Sequence, residues 1–263
     1  MYKKSMEKSQ NAIFNRTELL IGNEAMNLLT QKKVIIFGIG GVGSWTAEAL
    51  IRTGITNLTL VDADKIAQSN INRQVPATTL TIGAPKAEAM RNHLLTINPN
   101  ANITTINTLY TASTAEQFNL GNYDYIIDAI DSLADKHLLI INATRTRGAK
   151  FYSSMGAALK IDPTRIHTGG FHSVTGCRLA AALRRRFKKT GLHPSRKFQC
   201  VYSDELLPNR GTAVTETASE SPMTFNKVST NGSLCHITAI FGMTLAGMVI
   251  KDIYMNATNP NDI

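Results

Sequence analysis

Cysteine is scarce in this 263-residue chain: Cys177, Cys200 and Cys235 lie far apart, and no CxxC pair exists. That spacing excludes a thiolate zinc site of the usual kind and a disulfide framework. An odd, sparse count fits a reducing compartment, so a cytoplasmic protein is expected. No apolar run follows the basic start at Met1 to Ser5, which argues against a signal peptide. Long hydrophobic runs are also lacking, with one exception. Residues 234–250 are apolar but broken by His236, Thr238, Thr244 and glycines, and fall short of the roughly 20 residues a bilayer requires. A buried helix is expected there rather than membrane contact. Acidic residues are in deficit, 19 against 28 Lys and Arg, which leaves a formal charge of +9. Such an excess favours encounters with polyanions.

The 43% apolar content suffices for a sizeable core. Short apolar runs at 34–37, 58–61, 103–106, 125–127 and 150–155 alternate with helix-like segments at 42–52, 86–95 and 132–146. This alternation predicts an α/β Rossmann-like fold, a mainly parallel sheet with helices on both faces. Residues 1–32 read as an N-terminal arm followed by a short helix over 18–31, and 33–170 as the core. The basic extension 171–263 is expected to pack on that core within one structural domain. From Phe171 to Lys197 it carries eight Lys or Arg and no acid. Residues 207–232, rich in Ser, Thr, Asn and Pro, read as a long mobile loop.

Gly38, Gly40 and Gly43 satisfy G-x-G-x-x-G between a predicted strand and a predicted helix, where glycines let backbone approach a phosphate. Asp62 ends the next strand about twenty residues on, where a carboxylate accepts ribose hydroxyls. By itself this pattern suits NAD or FAD as well as ATP. Its neighbours favour a nucleotide with a triphosphate: Ser69 to Gln74 (SNINRQ), Lys86 after Gly83 to Pro85, and Asp128 to Asp131 at a strand end. Arg73 and Lys86 suit phosphate oxygens, and Asp131 suits Mg²⁺.

Taken together, these motifs resemble the ThiF/MoeB/HesA family of ubiquitin-activating-like adenylating enzymes. The likeness rests on GIGGVG at 38–43, Asp62 to Asp64, SNINRQ at 69–74, GAPK at 83–86, Ile97 to Pro99 and DAIDS at 128–132. Within the family, RTELLIG at 16–22, GGVGSW at 40–45, the arginine-rich helix at 179–189 and CVYSDELLP at 200–208 resemble the branch that dehydrates threonylcarbamoyladenosine in tRNA.

That resemblance implies a homodimer that binds Mg-ATP, adenylates a carboxylate and acts on tRNA, with a sulfur-relay protein as a further partner. It places Gly41, Asp62, Asp64, Ser69, Asn70, Asp128 and Ser132 at the nucleotide, with Arg73 and Lys86 on phosphates and Asp131 on the metal. Arg16 resembles an arginine that the dimer partner contributes. Zinc-bearing relatives carry two CxxC pairs; their lack here disfavours zinc and adenylation of a sulfur carrier. Arg178, Arg184, Arg185, Arg186, Lys188 and Lys189, on a helix with Leu179, Leu183 and Phe187 as its apolar side, would contact tRNA phosphates. Cys200 is expected to be a small buried residue rather than a transfer thiol.

Overall fold

The computed structural model describes residues 2–211 and 231–257, with side chains from residue 12 onward. The loop expected at 207–232 therefore falls largely outside the described residues.

Seven strands form one sheet in the order β3-β2-β1-β4-β5-β7-β6. They are β1 (Lys33–Phe37), β2 (Asn57–Val61), β3 (Asn102–Ile106), β4 (Tyr125–Asp128), β5 (Lys150–Ser154), β6 (Ile166–Gly170) and β7 (Gln199–Ser203). All neighbours are parallel except β6, which runs antiparallel to β7. Among the described residues six α-helices accompany it: α1 (Tyr2–Gln31), α2 (Gly41–Thr53), α3 (Lys86–Ile97), α4 (Leu133–Arg145), α5 (Arg178–Thr190) and α6 (Cys235–Ala257).

Strand β1 shows why the central strands are wholly apolar. Val34 and Ile36 join the core beneath α2, α3 and α6, whereas Ile35 and Phe37 join a second core beneath α4 and α5. Side chains alternate across a sheet, so a strand covered on both faces has no solvent side to make polar.

Two strands carry no clear sequence signal. In β6, Ile166 to Gly170 includes two adjacent glycines and no alternation, while β7 buries only Cys200, Val201 and Ser203. Both are held by ladder bonds rather than by pattern. A boundary at residue 170 falls between these two paired strands, so the basic extension shares the sheet of the core. The expected polar arm is helical as well: α1 begins at Tyr2 and is interrupted at Gly22, whose φ of 79° no ordinary helix contains.

Helix α6 is the apolar segment flagged in the sequence. By length and composition it could cross a membrane, but Ile237, Phe241, Leu245, Ala246 and Val249 are buried in the core. It lies so close to α2 that a Cβ on Gly242 would sit 2.5 Å from the Val42 carbonyl oxygen and 2.7 Å from Trp45 Cβ. The Thr46 hydroxyl bonds the Gly242 carbonyl across the same contact, at 3.2 Å. Gly242→Ala is expected to cost about 1–3 kcal/mol by forcing the helices apart. Urea denaturation of both proteins measures that loss directly.

Candidate active site

The C-terminal ends of β1, β2 and β4 meet around the glycine loop, the place where open parallel sheets bind ligands. A Cβ on Gly43 would lie 1.8 Å from the Gly38 carbonyl oxygen, and one on Gly38 would lie 2.7 Å from the Ala129 oxygen. Only glycine lets the first turn of α2 close onto β1 in this way. The N–H groups of that turn have no intrahelical partners, which makes the helix end a receptor for phosphate.

Asp62, at the end of β2, is buried and bonds this loop. Its carboxylate accepts the Ile39 N–H at 2.7 Å and the Asp64 N–H at 2.9 Å. Burial raises its pKa, and attraction to Lys86 partly offsets the rise. The side chains of Asp64 and Lys86 form a buried ion pair at 2.8 Å. Lys86 is anchored a second way, because its N–H donates to the Asp64 carbonyl at 2.9 Å. Lys86 thus begins α3 with its ammonium already aimed toward the loop.

The crossover segment between β2 and α3 supplies the remaining polar groups. Asn70 Oδ1 accepts the Ala67 N–H, closing a single turn. The Arg73 guanidinium donates to the Ser69 carbonyl and to Asn72 Oδ1, both at 2.8 Å. The Trp45 indole N–H donates to the Arg73 carbonyl at 3.2 Å, tying this segment to α2. A Cβ on Gly41 would meet the Arg73 side chain at 3.3 Å, so the arginine lies directly over the glycine loop. Thr238 of α6 closes the same spot from the other side.

Beyond β4, Asp131 is exposed and Ser132 occupies the cap position of α4. Asp128 differs from the expectation that it touches nucleotide, because its carboxylate is entirely enclosed. Lys136, equally enclosed, pairs with it at 2.7 Å, the Ser153 hydroxyl donates at 2.7 Å, and the Ile130 N–H donates at 3.1 Å. The Lys136 ammonium also donates to the Ile130 carbonyl at 3.0 Å. Both polar groups of Ile130 are therefore held by one buried ion pair, and Asp131 is the next residue. Asp128 positions the acid that follows it.

Other expected residues fall elsewhere. Arg16 is exposed on α1 just after Phe14, which packs beside Met26 at Gly54, the far end of α2. Thirteen residues of α2 separate that end from Gly41, a distance of about 20 Å. Arg184 is corrected from a phosphate contact to a structural clamp. Its guanidinium caps the Phe171 and Val174 carbonyls and lies 5.4 Å over the Phe171 ring. Arg186 is half-buried beside α4, whereas Arg178, Arg185, Lys188 and Lys189 face solvent. Cys200 is fully buried, and burial drives its thiol pKa upward, so it is no transfer nucleophile.

Sequence reasoning missed one wall of the site. A small pocket beside Asp62 and Gly38 is lined by Thr108, Leu109, Tyr110 and Asp135. Its only sequence signal is that Thr108 to Tyr110 follow the end of β3. This shallow recess adjoins the glycine loop on the side of Asp62.

With this geometry in place, the comparisons decide among nucleotide enzymes. The ThiF family model matches residues 14–262. The chain belongs to the ThiF family. Its relatives include the tRNA threonylcarbamoyladenosine dehydratase of Bacillus subtilis, 33% identical over 241 residues, covering 91% of this chain and 94% of that protein. The Escherichia coli protein of the same name is 35% identical over 253 residues, covering 93% and 94%. The crystal structure of that Escherichia coli enzyme, TcdA, in complex with ATP has a TM-score of 0.82 at 32% identity. It covers 95% of this chain and 96% of its own.

Replacing one partner of the buried pair tests how much the pair holds. Lys136→Met leaves a carboxylate enclosed and unpaired, and should destabilise the chain by about 3–5 kcal/mol. The double change Asp128→Asn with Lys136→Met should recover most of that loss. Chemical denaturation of the three proteins provides the check.

Proposed function

We propose that this ThiF protein binds ATP and dehydrates threonylcarbamoyladenosine in tRNA by adenylating its carboxylate. The observation that carries this reading is the placement of Asp62 and Arg73 against one glycine loop, with Lys86 acting on Asp62 and Asp131 two residues beyond Ala129, which abuts Gly38. The full-length likeness to dehydratases, one of them solved with ATP, supports it.

A carboxylate is a poor acyl donor because oxide is a poor leaving group. In the first step a carboxylate oxygen attacks the α-phosphorus of ATP, the bond from that phosphorus to the bridging oxygen breaks, and pyrophosphate leaves. The glycine-loop N–H groups, Arg73 and Lys86 stabilise the charge that grows on the phosphates. In the second step the substrate's own carbamoyl oxygen attacks the acyl carbon, closing a ring. AMP departs carrying the carboxylate oxygen, so the net change is loss of one water. No protein nucleophile is required, which agrees with the burial of Cys200. Holding both reacting groups of one substrate together supplies much of the acceleration.

Mg²⁺ fits the residues present, because an ion bound with nucleotide phosphates requires only one or two carboxylates, and exposed Asp131 provides one. When bound, it neutralises phosphate charge. Among the described residues no group of three or more His, Cys, Asp or Glu gathers for a metal. The exposed cations of α5 serve tRNA, a substrate that places the protein in the cytoplasm. A sulfur-relay protein is a further partner in this reading.

Arg16 belongs to the same reading. Two residues beyond Phe14, which packs at the Gly54 end of α2, it acts on the nucleotide across a homodimer in this reading. Leu19 and Leu20, 80% and 83% exposed on the same helix, are the apolar surface for that contact.

Incubation with Mg-ATP and modified tRNA, followed by digestion and mass analysis, should show the hypermodified adenosine lighter by one water. An unchanged nucleoside, with ATP bound, refutes the substrate. Arg73→Ala should lower kcat/KM by about a hundredfold or more. Arg16→Ala and Arg73→Ala proteins, each inactive, should regain activity when mixed and allowed to exchange subunits, because one hybrid site then holds both arginines. Failure of mixing to restore turnover would show that Arg16 does not act across the dimer.

A further inference from the structure

The positive surface does not stop at α5. After Thr190 the chain stays pinned along α4. The Thr190 hydroxyl meets His137 Nε2 at 3.3 Å, and the Ser195 N–H donates to the Thr144 hydroxyl at 3.1 Å. The Arg196 guanidinium donates to the carbonyls of Ala143 and Ala149, on either side of the turn that ends α4. Arg196 is thereby spent as a tether, which holds the following residue, exposed Lys197, to the end of α4 where Arg145 and Arg147 are also exposed. Among the described residues none of these three pairs with a carboxylate.

Gathering like charges is unfavourable, since two cations at contact distance repel by about 1 kcal/mol even in water. A polyanion relieves that repulsion and releases its own counterions. The position of the cluster is informative as well. Helix α4 starts next to Asp131 and ends at Arg145 after 13 residues, so the cluster lies about 20 Å from the reacting end.

We propose that Arg145, Arg147 and Lys197 form a distal RNA site. It holds backbone phosphates of the tRNA stem while the modified nucleotide occupies the Asp131 end. Helix α5, through Lys188 and Lys189, bridges the two. This assignment rests on tRNA being the substrate, as argued above, and adds the direction in which it lies.

The test compares tRNA with a trinucleotide carrying the modified adenosine, which is too short to span from Asp131 to Arg145. The triple change Arg145→Ala, Arg147→Ala, Lys197→Ala should raise KM for tRNA about tenfold or more while kcat is retained. It should also flatten the slope of log affinity against log salt by about 2–3, one phosphate for each cation. Turnover of the trinucleotide should be unchanged, and Lys in place of both arginines should keep tRNA affinity. An unchanged salt slope and KM overturn the proposal, as does an equal loss on tRNA and trinucleotide. Retained tRNA binding with lost binding to phosphatidylserine vesicles would assign the cluster to a membrane surface instead. If the unaltered protein dehydrates neither RNA, the substrate itself is wrong, a result distinct from failure of the distal site.

Discussion

One enclosed ion pair, Asp128 with Lys136, holds the two halves of the site in register. Its carboxylate ends β4, its ammonium comes from α4, and the Ser153 hydroxyl ties both to β5. The N–H and carbonyl of Ile130 are both bonded by this pair. The adjoining Ala129 N–H donates to the Phe37 carbonyl at 2.8 Å, and the Ala129 carbonyl lies where a Gly38 side chain would be. The glycine loop and the Asp131 turn are therefore one rigid body, and neither shifts without the other. Burying two charges is expensive. Placing the pair here concentrates that cost where geometry must be held to a fraction of an ångström.

Helix α6 has the matching role on the opposite face. It is wedged against α2 at Gly242 and touches Gly41 through Thr238. A segment distant in sequence thus fixes the depth of the phosphate receptor. The most apolar stretch of the chain is spent on buttressing the loop.

Much of this was legible in the sequence, and what was not has physical reasons. The central strands announce themselves because burial on both faces forces unbroken apolar runs such as 34–37. The glycine loop, Asp62, Arg73 and Lys86 are read from spacing because each occupies a fixed place at a strand or helix end. Strand β6 is invisible because edge pairing makes no demand on pattern, and β7 because its apolar run is only Cys200 and Val201, one to each face. Lys136 reads as an ordinary helix-surface lysine, since nothing local distinguishes a buried cation from a solvated one. The same limit explains Asp128 and Arg184: residue type indicates what a side chain can bind, and only the fold shows which partner has already claimed it. The distance separating Arg16 from its own loop becomes measurable only once α2 is placed.

The Asp64–Lys86 pair has a consequence for a protein with so much positive charge. A bare lysine beside a ring of backbone N–H groups would attract any phosphate, including the RNA chain that the outer surface gathers. With its carboxylate partner 2.8 Å away, the ammonium is held in place and part of its charge is offset before any phosphate arrives. Admission is then decided by shape and by the counterion that a nucleotide carries with it. The ion pair therefore tempers the pull of the site on phosphates in general, and leaves selection to the fit of the nucleotide.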